Sequence, residues 1–521
     1  MTENRGRFRH CGVSDLSTEV ILQVFNRCPH RTTLATCRMV CRDWDSIIVD
    51  APEFWTDVYV GFSCEDTLMV ERYLRRSKMR NLTITFQRCE SRSNWSSPST
   101  RQILRLLLGQ IARWEVVSFH LRGIHLSTLG HQFCKALEGV TGWQLKQFTF
   151  SHGGAWHAKD SRKFWKSVLS APALQDLTWR QSSGAVFDRL YRPTGGSGTS
   201  TTWKHLTHLI LDQAEVDHII TLLTTADALK ELCVEWLMDT PILSSVDTPR
   251  LLLGELRTLR VDTGFDSKAR LLGRVHTPAL EHLVLVDDGV AFQPVIDLLE
   301  RDVDGLVIAE VVIRDDSVDL FPRFMELISR SSRDLCELDV QFRVRTTLAT
   351  LPLSVHTPPA EVFAELRSWF LAVDDGDGGC IKYALESTAT PVLESLSIGC
   401  SHDCSREIAS FLERSSPPLA ELAFPVVDPD PVSLRMLLSS TCLAELWSLD
   451  CSGRTALSLV EILSETPFLL PSLTRLELAV LLADPDAIRN LRASRNAVSS
   501  VHLEPVIISP YGSRILSGVI E

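Results

Sequence analysis

The stretch "LGELRTLRV" at Leu253–Val261 returns as "TPALEHLVLVD" at Thr277–Asp287. Upstream lie "APALQDLTW" (Ala171–Trp179), "WKHLTHLIL" (Trp203–Leu211) and "DALKELCVEW" (Asp227–Trp236). Downstream come "SRDLCELDVQF" (Ser332–Phe342), "TPVLESLSIGC" (Thr390–Cys400), "PPLAELAF" (Pro417–Phe424), "TCLAELWSLD" (Thr441–Asp450) and "LPSLTRLELA" (Leu470–Ala479). All share Leu-x-x-Leu-x-apolar. The end of each copy alternates apolar and polar, as a half-buried strand does. The segments between copies, such as "HIITLLTTA" and "EIASFLERS", repeat at helical spacing instead. One strand and one helix cannot bury both their faces alone, so neighbouring units must stack.

The anchors Leu174, Leu206, Leu229, Leu256 and Leu280 sit 23 to 32 residues apart. That spacing is close to the period of leucine-rich repeats. A doubly wound sheet would also alternate strands and helices, but the short fixed period favours an irregular leucine-rich solenoid of class α/β. The asparagine or cysteine that usually follows the strand is replaced by Ala214, Gly264 and Asp288 in three copies. Two segments break the rhythm. Residues 181–202 are rich in Gly, Ser and Thr and read as an inserted loop. Residues 347–379 read as a Pro-bounded helix and an acidic turn, within a divergent repeat or an insertion.

Ahead of the repeats, "LSTEVILQVFNRCPHRTTLATCRMVCRDWDSIIVDAPEFW" (Leu16–Trp55) packs short amphipathic helices into about forty residues. Ser17 is placed to cap the first helix, and Glu19 falls in its first turn. Val20, Ile21, Val24 and Phe25 form one apolar face. Leu34, Cys37, Cys41, Trp44 and Ile48 form a second stripe. The order Leu-x-x-Glu-Val-Ile-Leu, then Val40-Cys41-Arg42-Asp43-Trp44, then Pro52-Glu53-Phe54-Trp55 resembles an F-box. With the repeats behind it, the chain is similar to fungal F-box proteins with leucine-rich tails, and "VERYLRRSKMRNLTITF" (Val70–Phe86) resembles the unit that follows the box there. Ser17 stands where that family usually has proline.

The resemblance implies a tail at 1–13, an F-box at 14–60, a repeat region at 61–510 and a second tail at 511–521. It implies a non-catalytic substrate receptor of an SCF ubiquitin ligase. The box would insert into a Skp-type adaptor and through it reach cullin. By position, adaptor contact falls to Leu16, Ile21, Leu22, Phe25, Leu34, Val40, Trp44 and Trp55. The alternative is that these helices only cap a scaffold of repeats.

On a leucine-rich strand the polar residues between the anchors face away from the helices. Here they include Asp176, Asp212, Glu231, Glu235, Asp262, Glu337, Asp339, Glu421, Glu445 and Glu477, against Arg180, Arg260 and Arg475. An acidic face favours a basic protein client, with Glu231, Glu235, Asp262, Glu337 and Asp339 as its contacts.

A net charge of −12 argues against a nucleic-acid partner. No apolar run reaches the length of a membrane span, and the first residues lack a signal-peptide core. The 14 cysteines have no disulfide-scaffold spacing, so a cytoplasmic or nuclear protein is expected. "CSHDC" (Cys400–Cys404) offers two thiols and His402, short of the four ligands of a structural zinc site. "DDGDGGCIKYALE" (Asp374–Glu386) holds Cys380 where a calcium loop demands glycine. No cofactor is expected, and no catalytic motif points to an enzyme.

Overall fold

The computed structural model describes residues 16–27, 31–61, 67–87, 98–121, 132–133, 135–136, 143–152, 164, 167–181, 203–238, 250–302, 305–315, 317–331, 334–343, 361–374, 379–425, 430–452, 456–479, 490–491, 493–494 and 504–507. The expected tails at 1–13 and 511–521, and the loop at 182–202, lie outside them. The chain forms two compact units, residues 1–206 and 207–521.

The first unit opens with α1 (Thr18–Asn26), α2 (Arg31–Arg38) and α3 (Arg42–Asp50), followed by a 3₁₀ turn at Pro52–Trp55. A parallel sheet follows: β1 (Asp57–Val60), β2 (Leu82–Gln87), β3 (Trp114–Leu121), β4 (Gln147–His152) and β5 (Asp176–Gln181). Each strand pairs with the next one in the chain. Helices α4 (Thr67–Arg76) and α5 (Pro98–Leu108) connect the first strands and pack on each other. The core beneath β3–β5 is aromatic. Phe119, Phe133, Phe150, Phe164 and Trp179 are fully buried, with edge-on contacts such as Phe133–Phe164 at 5.5 Å and 90°.

The second unit repeats the plan. Its strands are β6 (His208–Glu215), β7 (Glu231–Met238), β8 (Thr258–Thr263), β9 (His282–Val290), β10 (Ile308–Arg314), β11 (Glu337–Arg343), β12 (Ser368–Asp374), β13 (Ser395–Gly399), β14 (Glu421–Pro425), β15 (Ser448–Ser452), β16 (Arg475–Ala479) and β17 (Glu504–Ile507). All pair in parallel, each with its chain neighbours. Among the described pairings of this unit the order never reverses, as it would at the switch point of a doubly wound sheet. The helices between strands, from α6 (Val216–Leu223), α7 (Phe265–Arg274) and α8 (Phe292–Asp302) to α9 (Phe321–Ser331), α10 (Gly379–Ser387), α11 (Ser405–Ser415), α12 (Pro431–Leu438) and α13 (Ala456–Glu465), pack consecutively in one layer. The anchors Leu206, Leu229, Leu256 and Leu280 are buried, as is Leu174 in the first unit.

Residues 361–374 depart from the sequence expectation. They are not a helix: Glu361–Val362 pairs with Thr388–Ala389, and Ser368–Asp374 is a full member of the sheet. Phe363, Leu366 and Trp369, spaced by three, are buried as a strand anchor. The stretch is one more repeat.

The turns after the strands explain the missing asparagines. Asp288 accepts a hydrogen bond from the backbone N–H of Gly264, one repeat earlier, at 3.2 Å. Asp315 likewise accepts from Phe292 N–H at 2.9 Å. Asp403 accepts from Asp430 N–H, one repeat later, at 3.0 Å. Carboxylates thus tie neighbouring turns together, satisfying amides that would otherwise be orphaned.

Candidate functional site

Two surfaces carry most of the residues singled out in the sequence, one in each unit, while Asp176 and Arg180 stand on β5 of the first. In the first, Ile21, Phe25, Ile48 and Trp55 form the core of the small helical unit, with Trp44, Phe54 and Tyr73 packed against it. Phe25 meets Trp44 edge-on at 5.0 Å. The Trp55 indole N–H donates to the Ile48 carbonyl at 2.9 Å, and its ring meets Tyr73 of α4 edge-on at 4.9 Å. Ile21, Phe25 and Trp55, expected as contact residues, therefore hold the unit together and offer no free surface. Trp44 and Leu22 are half-buried. Leu34 lies in α2, but its side chain is outside the described residues.

The exposed apolar residues are others. Leu16, Val20 and Val24 are 40%, 42% and 51% exposed, and Met39 and Val40 are 79% and 60% exposed. Val20 and Val24 lie one turn apart on α1, and Leu16 continues their four-residue spacing just ahead of the helix. Val20, Val24 and Met39, exposed here, were not among the residues expected from the sequence. The spacing from Leu16 was the signal, but α1 is apolar on two sides, and which side faces inward depends on α3. Ser17 sits at the N-cap position with extended backbone, yet its hydroxyl makes no cap bond. Instead a hydrogen bond from its own backbone N–H and one from Ser17 lower the Glu19 carboxyl.

In the second unit the acidic residues stand on the sheet face opposite the helices, alternating with buried anchors such as Leu232 and Val234. The ladder register aligns Cys233, Arg260, Val284, Glu310 and Asp339 in one row across β7–β11. Further along the same row come Phe370, Ser397, Ala423, Asp450 and Glu477. Glu310 and Asp450 belong to this face and were missed. Glu445 does not, because it lies in the turn before β15, three residues ahead of the strand. Glu337 and Asp339 stand on β11, Glu231 and Glu235 on β7, and Asp262 on β8.

The register sets like charges side by side, which costs stability. Glu310 and Asp339 are cross-strand neighbours, and among the described residues neither has an ion pair. Asp450 and Glu477 are neighbours in the same way. Two of the few cations are already spent: Arg260 pairs with Asp262 at 2.9 Å, and Arg475 pairs with Glu477. Burial first, then the Glu310 charge, pushes the Asp339 carboxyl up to about 6, against a hydrogen bond from Gln341 that lowers it. Burial likewise raises Asp262 and Asp450, and it lifts the Cys233 thiol to about 11.

A stability prediction follows for Asp339. Its folded pKa lies above the ordinary 3.8, so the folded state resists the charged form. The contribution to stability is greatest below pH 4 and is lost as pH rises through 6. Asp339→Asn is expected to stabilise the protein by about 1 kcal/mol at pH 7, discounted from the full shift because the group is partly solvated. That gain should vanish by pH 4. Urea unfolding at both pH values tests this; an equal difference at each would refute it.

Among the described residues no group of three or more His, Cys, Asp or Glu side chains could hold a metal ion. Cys400 and Cys404 are free thiols whose sulfurs lie 3.5 Å apart, and Gly379–Ser387 is helical where a calcium loop would run. No described helix is long and apolar enough to cross a membrane.

Comparison with known proteins adds a domain assignment. A family model described as F-box-like matches residues 14–60, so the chain carries an F-box-like domain there. Among solved structures, the yeast complex of Rad7 and Elc1 is similar over 54% of this chain and 78% of that one, at 16% identity and a TM-score of 0.30. No curated protein matches the chain.

Proposed function

We propose that this protein is the substrate-recognition subunit of an SCF ubiquitin ligase. The F-box-like domain docks a Skp-type adaptor and, through it, cullin. The sequentially paired strands form a leucine-rich solenoid whose open face holds a client protein. The observation that carries the reading is the exposed stripe Leu16, Val20 and Val24 within an F-box-like domain whose core is already closed. A surplus apolar stripe on a small helical unit is suited to a groove on a partner.

In this reading the protein has no active site of its own. It raises the effective concentration of client lysines near a ubiquitin thioester that the rest of the ligase delivers. The acid-rich face, with unneutralised Glu310 and Asp339, favours a client segment bearing lysine or arginine. Such a complex would act in the cytoplasm or nucleus. A second reading, a scaffold whose helices only cap the repeats, draws on the packing of Trp55 against Tyr73 of α4.

Co-purification with the adaptor separates the two. The intact chain should bind, and a chain lacking residues 14–68 should not. Val20→Asp combined with Val24→Asp should raise Kd at least thirtyfold, about 2 kcal/mol, without lowering the unfolding temperature. Adaptor binding unchanged by the double substitution would remove the stripe from the interface, and no binding by the folded intact chain would leave the scaffold.

A further inference from the structure

The net charge of −12 hides two opposite units. Residues 1–206 carry 28 Lys and Arg against 17 Asp and Glu, a net of +11, whereas residues 207–521 carry 25 against 48, a net of −23. Much of the positive charge gathers beside the F-box-like domain, where Arg72, Arg75, Arg76, Lys78 and Arg80 fall within nine residues. The sequence alone suggests only a solvated helix face there. The structure shows more.

The Arg76 guanidinium stands 4.4 Å from the centre of the Trp55 ring, and that of Arg38 stands 5.6 Å from the same ring. Burial, and then the charges of Arg38, Arg72 and Arg75, push Arg76 below its ordinary value, with Asp45 acting in the opposite direction. Asp45 is itself bonded to Arg38 at 2.6 Å. The Nη1 atom of Arg76 is shielded from solvent and has no hydrogen-bond partner. Buried guanidinium donors are normally paired, so this one lacks an acceptor. Arg72 and Arg75 are exposed and, among the described residues, unpaired. Stacking on Trp55 accounts for Arg38 and Arg76, but it does not account for two more cations beside them.

We infer that Arg38, Arg72, Arg75 and Arg76 form an anion-binding patch that receives an acidic segment of the adaptor. The inference rests on the proposed adaptor docking. Arg38 is followed directly by the exposed Met39 and Val40, so the patch continues the apolar surface. Carboxylates of the partner would pair with the exposed Arg72 and Arg75 and offset the crowding of like charges around Arg76. Outlying Arg72 and Arg75 would steer the approach.

The test measures association of the full chain with purified Skp-type adaptor at low and at physiological ionic strength. The Arg72→Glu, Arg75→Glu double variant is compared with a control, Lys135→Glu and Lys204→Glu, which makes the same change in net charge away from the patch. The arginine variant should lose on the order of tenfold in association rate at low salt. The control should lose far less, and the unfolding temperature should stay unchanged in both. Equal losses would show only the field of the unit's net charge and overturn the patch. Unchanged rates in both would overturn it as well. No binding by the unmodified chain would overturn the adaptor reading and the patch with it, whereas binding with unaltered rates sinks the patch alone.

Discussion

Trp55→Ala is expected to cost about 3–5 kcal/mol and to unfold the helical unit ahead of β1. The side chain is almost fully buried. It joins α3 through its bond to the Ile48 carbonyl and joins α4 through Tyr73 and Arg76. A unit of about forty residues has little core to spare, and here four residues make up its centre. Removal of the indole empties the middle of that core and leaves one carbonyl without its donor. The readout is amide exchange over residues 16–55, which should rise to the rate of an unstructured chain while β6–β16 stay protected. Adaptor binding should disappear in the same variant, through loss of the fold and not of a contact. Protection over α1 and α3 that survives the substitution would show that the core is not centred on Trp55.

Gly264→Ala is expected to cost at least about 3 kcal/mol, beyond the range of an ordinary surface change. Gly264 begins α7 with φ of +105°, a conformation that side chains disfavour. A Cβ there would lie 2.0 Å from the carbonyl oxygen of Leu237, so backbone must move. The turn cannot yield cheaply. Gly264 N–H donates to Asp288, and its carbonyl accepts from Lys268 N–H at 2.9 Å. The buried Lys268 ammonium in turn donates to the carbonyls of Asp262, Val286 and Gly289. Burial lowers this ammonium to about 8, against the pull of Asp288, Asp287 and Asp262. Chemical denaturation should show a lower midpoint, with the first protection lost in β8 and β9. A midpoint within experimental error of the parent would mean the turn relaxes freely.

How much of this was legible depends on whether a residue's role is local. The leucine anchors were legible because their burial follows from spacing alone. The segment at 361–374 was not. Phe363, Leu366 and Trp369 are three apart, a spacing shared by one face of a helix and by the start of a leucine-rich unit, and Pro358 and Pro359 suggested a helix start. The link from Asp288 to Gly264 crosses 24 residues, so neither position announces the other. In α1 the periodicity showed one broad apolar face, and only packing against α3 decides that Ile21 and Phe25 go inside while Val20 and Val24 stay out. On the open face, Glu445 looked like a strand residue because the leucines around it match the anchor pattern. The strand begins after the second leucine, which hands that place to Asp450.

The chain-order pairing of strands has a kinetic consequence. Parallel sheets usually fold slowly because distant segments must meet. Within each unit here, a strand meets only partners about one repeat away, so every closure joins a short loop, and its entropy grows only slowly with length. Folding of the second unit should nucleate on one helix–strand pair and zip outward in both directions. Lengthening a single connector would then delay one step and leave the others at their own pace.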